Sequence, residues 1–290
     1  MTVIVNLIKR NLKLFFRDKA SVFFSFLAVF IIIGLYVLFL GNMMVNNFKD
    51  VLGDNARFIV DSWIMAGILS VTSITTTLGA FGVMVEDKTK KISKDFLSAP
   101  FKRSQLAAGY VISSFVIGII MSIAALIIAE IYITANGGSW LGFMPLLKLL
   151  GAMLLSVFAG TSMVFFIVTF FRSSNAFATV STIIGTLIGF LTGIYIPVGS
   201  FPSAVQTVIK IFPISHASAL FRQIMMEAPM SKAFANAPAE VVTGFEKMMG
   251  VTFFFGDKEV SPFINIIVLI ITGVVFLLLA ILSMSVKKKQ

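Results

Sequence analysis

Long apolar runs separated by short polar segments dominate this sequence. Six of them extend for about 20 residues or more, the length that an α-helix needs to cross about 30 Å of hydrocarbon. The runs are Ala20–Gly41, Val60–Val85, Gln105–Thr134, Pro145–Phe171, Ala176–Pro197 and Phe263–Val286. The pattern predicts an all-α polytopic membrane protein with six transmembrane helices. It divides the chain into an N-terminal segment, five spans, a long loop, and a last span with a basic tail, at 1–19, 20–197, 198–262 and 263–290.

The composition indicates that lipid solvates part of the protein. Of the 290 residues, 58% are hydrophobic and only 12% are charged, whereas a soluble domain carries about 25% charged residues. Cysteine is absent and His216 is the only histidine, which excludes disulfides and multi-histidine metal sites within this chain. No GxxxxGK, HExxH or GxSxG motif occurs. We therefore expect no catalytic residue, metal or cofactor in this chain.

The distribution of charge predicts the orientation in the membrane. If the six runs cross the membrane in alternating directions, the segments between them fall on two sides. Those on one side carry fifteen Lys and Arg against four Asp and Glu, and those on the other side carry eight against nine. Cytoplasmic loops are enriched in Lys and Arg. Both termini are therefore expected in the cytoplasm, in a multi-pass protein of the cell membrane. Topology and anionic lipid headgroups then account for the net charge of +10 without nucleic acid.

The N-terminal segment 1–19 is expected to form a cytoplasmic amphipathic helix. Its apolar face comprises Ile4, Val5, Ile8, Leu12, Phe15 and Phe16, and its polar face comprises Asn6, Lys9, Arg10, Lys13 and Arg17. Such a helix suits the plane of the lipid headgroups. It acts either as a topology anchor alone or also as a contact for a cytoplasmic partner through Lys9, Lys13 and Arg17.

The segment 86–105 is the only sizeable loop on the expected cytoplasmic side, and it reads EDKTKKISKDFLSAPFKRSQ. Charges dominate its first half. Ile92, Phe96 and Leu97 then form a short apolar ridge before Pro100 ends the helix. A short helix with such a ridge suits docking into a groove on a partner. The alternative is a solvated basic loop that only enforces topology.

This loop resembles that of the permeases of the type-2 class of ABC exporters. In that family an acidic pair, a short helix and Leu-Leu-x-Ser/Thr-Pro follow the second span. Here the acidic pair occupies 86–87 and residues 96–100 read FLSAP. The resemblance implies a coupling helix within 86–105 that docks on a separate ATPase. Its expected contact residues are Glu86, Asp87, Ile92, Phe96, Leu97 and Pro100.

A second resemblance lies after the fifth run, where the family has a Gly-x-x-x-Pro exit followed by Leu-Pro, Asn-Pro and an Arg. The corresponding residues here are GIYIP at 193–197, FP at 201–202, FP at 212–213 and Arg222. Residues 198–225 are too apolar for an ordinary loop, and irregular backbone at membrane depth has to be buried in protein. We expect re-entrant extracellular helices here, with an interfacial amphipathic loop as the alternative. The expected extracellular gate comprises Pro197, Pro202 and Pro213.

Two of the runs carry hydroxyl side chains in helical register. Thr72 and Thr76 share one face of the second run, and Thr179, Thr182 and Thr186 share one face of the fifth. Such residues serve either close helix packing or the lining of a substrate pathway. The resemblance favours lining, because these two spans flank a central cavity between two permease subunits in that family. An uncharged polar face suits a hydrophobic or amphipathic substrate.

The sequence is therefore interpreted as the permease subunit of an ATP-driven ABC exporter of drugs, antimicrobial peptides or lipids. The resemblance implies two copies of a cytoplasmic ATPase that bind ATP and Mg²⁺, and a second permease subunit that is identical or related. One alternative is a permease for polysaccharide or teichoic-acid-like polymers. Two others are a channel or secondary transporter without an ATPase, and an intramembrane enzyme. The former predicts charged residues near the midplane, and the latter requires paired catalytic groups within the spans.

Overall fold

The computed structural model describes residues 2–92, 96, 102–256 and 258–286. Within these ranges the chain is almost entirely helical, and a single antiparallel hairpin pairs β1 (Phe254–Phe255) with β2 (Lys258–Glu259). The helices are α1 (Thr2–Arg17), α2 (Lys19–Leu35), α3 (Gly41–Leu52), α4 (Ala56–Thr89), α5 (Arg103–Ala135), α6 (Phe143–Val168), α7 (Ser174–Leu191), α8 (Ser203–Ile211), α9 (Pro213–Ala233), α10 (Ala239–Met249) and α11 (Pro262–Val286).

Five stretches of the described chain are long and apolar enough to cross a membrane, or up to six if the bent pair α8–α9 counts as one span. The first stretch, Lys19–Thr89, has 71 residues, which is more than three times the about 20 residues that one crossing needs. It folds back at the turn Gly53–Asn55, so that α2 and α3 both pack against α4. The chain is therefore an all-α polytopic membrane protein, as the sequence predicts.

Predicted and observed helices differ mainly at their ends. A π-helical turn at Tyr36–Leu40 joins α2 to α3, so the first helical arm extends beyond the predicted end at Gly41. The helix of the fifth apolar run, α7, ends at Leu191 and not at Pro197. Gly193 has a φ of 65°, a conformation that terminates helices.

The helix of the second apolar run, α4, extends beyond that run. It continues to Thr89, so Glu86 and Asp87 belong to its last turns and not to a separate coupling helix. Two of the expected contact residues in the loop, Leu97 and Pro100, lie outside the described residues, as does the basic tail 287–290.

The core of the bundle is α4, which α2, α3, α5, α6, α7 and α9 surround. Every residue from Ile59 to Leu78 is buried. From Ser70 to Thr77 the hydroxyl side chains bond to backbone carbonyls of their own helix about one turn earlier, as Thr72 does to Ile68 and Thr76 to Thr72. This part of an enclosed helix therefore carries polar side chains without leaving their hydrogen bonds unmade.

Small residues allow α6 to approach α4 closely. The Ser156 hydroxyl donates a hydrogen bond to the Ser73 hydroxyl at 2.9 Å. One turn further along α6, a Cβ added to Gly160 would lie 3.1 Å from the Ser73 carbonyl oxygen. This contact is the close approach that small residues permit between helices in membranes.

Replacing Gly160 by leucine is expected to destabilise the protein by about 1–3 kcal/mol, because the new side chain has to displace α6 from α4. Gly151→Leu on the same helix is the matched control, since a Cβ added there would have no neighbour within 4 Å. Thermal unfolding of both purified variants in detergent checks this expectation. Equal melting temperatures for the two variants would contradict the packing.

Candidate functional site

Three side chains meet at the end of the bundle that carries α1, here named the α1 end. The Arg10 guanidinium of α1 donates to both oxygens of Asp87 of α4, from Nη1 to Oδ2 at 2.7 Å and from Nη2 to Oδ1 at 2.8 Å. The Tyr110 hydroxyl of α5 donates to Oδ2 at 2.6 Å. The carboxylate is buried and so joins three helices; we name Arg10, Asp87 and Tyr110 the clamp. Hydrogen bonding to Asp87 raises the pKa of Arg10 above its ordinary value.

A buried seam fixes α1 beside the clamp. Leu7, Asn11 and Phe15 are spaced one turn apart and are buried, and α1 packs mainly along α5. The Asn11 side chain donates a hydrogen bond to the Ser113 hydroxyl at 3.1 Å. Leu7 packs against Gly109, where an added Cβ would lie 2.8 Å from the Leu7 Cβ. Helix α1 is therefore docked on the protein along its length.

The seam is rotated from the apolar face that the sequence predicts. Val5 and Phe16 of that face are exposed, because the polar seam residue Asn11 finds a partner on α5 and turns the helix toward it. The predicted basic face, with Lys9, Lys13 and Arg17, is exposed. Helix α1 thus has three faces: one packed on the protein, one apolar and open, and one basic and open.

Arg10 also reaches the loop after α4. Its guanidinium carbon lies 5.1 Å from the centre of the Phe96 ring, in a cation–π arrangement. Arg10 thus contacts two of the predicted coupling residues, Asp87 and Phe96. Of the other described members of that set, Glu86 is exposed and pairs with Lys90, and Ile92 is half-buried.

The structure places the expected contact residue Asp87 away from the surface. This side chain lies beneath α1 with only 4% of its surface exposed, so it has no surface to offer a partner in this conformation. Its carboxylate bonds to Arg10 and Tyr110 within the bundle. Neither Arg10 nor Tyr110 has a role of its own that the sequence predicts, because helical periodicity identifies a face but not which residues on other helices it meets.

The two predicted threonine faces lie in opposite surroundings. Thr72 and Thr76 are fully buried in α4, so they pack the bundle and line no open surface in this conformation. Thr179, Thr182 and Thr186 of α7 are exposed. Their hydroxyls donate to the carbonyls of Asn175, Ala178 and Thr182 at 2.9–3.0 Å.

Helix α7 leaves most of its surface open. Its main contact within the described chain is α4, and its only buried residues are Phe177, Ile188 and Gly189. The apolar side chains of Ile183 and Leu187 are about half exposed beside the threonine row. Since the threonine hydroxyls are satisfied within the helix, this open face suits contact with either lipid or another subunit.

The predicted gate prolines all lie at the starts of short turns or helices. Pro197 precedes a 3₁₀ turn, Pro202 precedes α8, and Pro213 is the first residue of α9. Helices α8 and α9 meet at 88°. The second of them is longer than expected, because it continues to Ala233 and is buried against α4, α6 and α11.

A buried arginine joins four helices at the opposite end of the bundle. The Arg222 guanidinium of α9 donates to the carbonyl oxygens of Thr192 and Gly193 at 3.1 and 2.9 Å, and of Gly250 at 3.3 Å. It also lies 4.7 Å from the centre of the Trp63 ring of α4. The side chain is 0% exposed. We name this group the arginine knot.

Helix ends explain how the knot holds a cation without a carboxylate. Thr192 and Gly250 cap the C-termini of α7 and α10, where the backbone dipoles carry partial negative charge. Gly193 and Gly250 have φ values of 65° and 66°, which end these helices next to the guanidinium. The Trp63 indole donates a hydrogen bond to the Met249 carbonyl at 2.7 Å. In the sequence, only the family pattern pointed to Arg222.

The fold defines the class of the protein as a polytopic α-helical membrane protein with a docked N-terminal helix. The family is more specific: residues 45–282 match the model described as ABC-2 family transporter protein. This match covers most of the chain, so the chain belongs to the ABC-2 family and is a transmembrane subunit of an ABC transporter. Permeases of this family normally work with an ABC ATPase partner. The comparison with curated proteins found no match.

Replacing Asp87 by asparagine is expected to loosen α1 from the bundle. The Arg10 side chain is 29% exposed, so the cost is about 2 kcal/mol, below that of a fully buried pair. Amide hydrogen exchange of α1 should then accelerate by about thirtyfold. Glu86→Gln, an exposed acid one residue earlier, is the control. Equal protection of α1 in both variants would contradict the clamp.

Proposed function

We propose that this chain is the permease half of an ATP-driven exporter of a hydrophobic or amphipathic substrate. In this proposal the two arms of the Lys19–Thr89 hairpin, α5, α6, α7 and α11 supply six crossings, and α8–α9 re-enters from the outer side. Both termini then lie in the cytoplasm. The charge distribution supports this orientation, because the α1 end carries the excess of Lys and Arg.

The observation that carries the proposal is the clamp. It connects an exposed basic helix face and the loop after α4 to α4 itself. Since every residue from Ile59 to Leu78 is packed against other elements, a displacement of the α1 end has to move several helices together. Packed elements of this kind respond to a partner by shifting between discrete arrangements.

The partner in this proposal is a cytoplasmic ABC ATPase present in two copies. It contacts the open basic face of α1, with Lys9, Lys13 and Arg17, and the loop segment that includes Phe96. ATP and Mg²⁺ are bound and used in that partner, and this chain supplies the surface that receives the movement. The complementary surface on the partner is accordingly expected to be acidic around an apolar groove.

A second permease subunit is proposed to cover the open face of α7. That face combines exposed apolar side chains with hydroxyls that need no external partner, which allows close helix contact in a membrane. Two copies paired in this way enclose a slit bordered by Thr179, Thr182 and Thr186. An uncharged slit of this kind suits a drug, an antimicrobial peptide or a lipid.

The long region between α9 and α11 argues for these substrates against a polysaccharide or a teichoic-acid-like polymer. It folds into α10 and the β1–β2 hairpin at the outer end, whereas polymer exporters of this family tend to have smaller outer loops. By analogy with the family, an outer region of this size favours the smaller amphipathic substrates. The other rival is transport without an ATPase.

The double substitution Phe96→Asp and Leu97→Asp should abolish ATP-driven export while the protein still inserts, because two charges replace the apolar ridge of the loop. Phe255→Asp is the control, since Phe255 is 48% exposed at the opposite end. The measurement is nucleotide-dependent transport in membrane vesicles, together with co-purification of the ATPase. Normal transport by the double variant, or full activity of the isolated chain without nucleotide, would refute the coupling.

Single cysteines on α7 should form crosslinked dimers if α7 faces its counterpart. The chain contains no cysteine, so Ile183→Cys introduces the only thiol. Leu154→Cys on α6 is the matched control, because Leu154 is exposed to a similar degree, 48% against 52%. Oxidation in native membranes followed by electrophoresis should give a dimer band for the α7 variant alone. Equal crosslinking at both positions, or none at Ile183→Cys, would place the pairing elsewhere.

A further inference from the structure

A cavity of about 300 Å³ opens beside the arginine knot end of the bundle. It lies between the start of α4, the end of α5, the segment 139–142 and α9. Most of its wall is apolar and includes the aromatic rings of Phe58 and Trp140. Neither the threonine faces nor the clamp forms any part of it, so the proposed pathway and the coupling junction leave this cavity unexplained.

Two buried polar atoms in the cavity wall have no hydrogen-bond partner within the described chain. Glu130 is 5% exposed, and its Oε2 accepts a hydrogen bond from the Leu141 amide at 2.9 Å, whereas its Oε1 has no partner. The Ser62 hydroxyl is 0% exposed and also has none. A buried polar atom without a partner is costly. A cationic group placed against the Glu130 oxygen would offset that cost by its charge.

The acidic residues of the wall favour a ligand with a positive charge. Glu130 and Glu227 both line the cavity, and no Lys or Arg does so among the described residues. The basic side chains of Arg57 and Lys232 line a neighbouring cavity with Asp54, and Arg57 is bonded to Asp61 and Asn136. The cavity therefore combines acidic oxygens with aromatic rings, the surroundings that bind organic cations.

We propose that this cavity is a binding site for a hydrophobic ammonium group. The ammonium lies against the Glu130 carboxylate and the rings of Phe58 and Trp140, and the apolar body of the ligand fills the remaining wall. The group belongs either to a soluble amphipathic amine or to the ethanolamine headgroup of a lipid. Binding needs neither the ATPase nor transport, so it can fail or succeed independently of the proposed function.

Trp140 reports on the cavity directly. The chain has two tryptophans; Trp63 is buried in the knot, whereas Trp140 lines the cavity and is 61% exposed. Phenyltrimethylammonium added to the purified full chain in nanodiscs of phosphatidylglycerol should change its fluorescence saturably. The signal should be lost in Trp140→Phe. The uncharged isostere tert-butylbenzene, tested on the same unmodified protein, should bind at least about tenfold more weakly. Equal affinity for the two probes would overturn the proposal without any variant.

The Glu130→Gln variant tests the carboxylate itself. The amide keeps an oxygen for the Leu141 N–H but removes the charge, so the Kd for phenyltrimethylammonium should rise by about tenfold or more. Glu240→Gln, an exposed acid at the start of α10, is the control and should leave the Kd unchanged. An unchanged Kd in Glu130→Gln would overturn the proposal.

The lipid composition of the nanodiscs identifies the source of the ammonium. If adding phosphatidylethanolamine weakens the binding of phenyltrimethylammonium, the site takes a lipid headgroup. If it leaves the Kd unchanged, the site takes a soluble amphipathic amine. Both results support an ammonium site, whereas absence of any saturable response in either membrane would overturn it.

Discussion

The position of the N-terminal helix depends on one buried carboxylate at the end of the enclosed helix α4. Asp87 continues the buried face of α4 to the edge of the bundle, and a buried carboxylate needs a cation and hydrogen-bond donors. Arg10 and Tyr110 supply both. Because Arg10 is on α1, satisfying this charge fixes the N-terminal helix on the bundle together with the seam of Leu7, Asn11 and Phe15.

The opposite end of α4 meets a buried charge of the other sign. The Trp63 ring packs on Arg222, whose two terminal nitrogens donate to carbonyls at the ends of α7 and α10. The central helix is thus tied to its neighbours by a buried anion at one end and by a buried cation at the other. Between them, its hydroxyls bond internally and small residues of α6 pack on it. In the proposed mechanism such a helix moves together with its neighbours, which is what transmission across a membrane requires.

Hydropathy and helical periodicity predict the class, the helices and the amphipathic start of this chain, because those features depend on local sequence. They do not predict which face of α1 is buried, since Asn11 and Leu7 face α5 only when Ser113 and Gly109 lie opposite them. The burial of Thr72 and Thr76 depends likewise on six elements that enclose α4. The residues next to Arg222 in the sequence do not predict its burial either, because its partners are backbone carbonyls at helix ends that are distant in the sequence.

The central claim of the proposed function is that α1 and the ends of α4 and α5 move as one body while the α7 faces of two paired subunits change their separation. The chain lacks cysteine, so pairs of introduced cysteines can carry spin labels at chosen sites in the complex with its ATPase. We expect the distance between Lys13 and Arg103 to stay constant between nucleotide-free and ATP-bound states, and the distance between the Ile183 positions of the two subunits to change. A changing Lys13–Arg103 distance with a constant Ile183 separation would contradict the account.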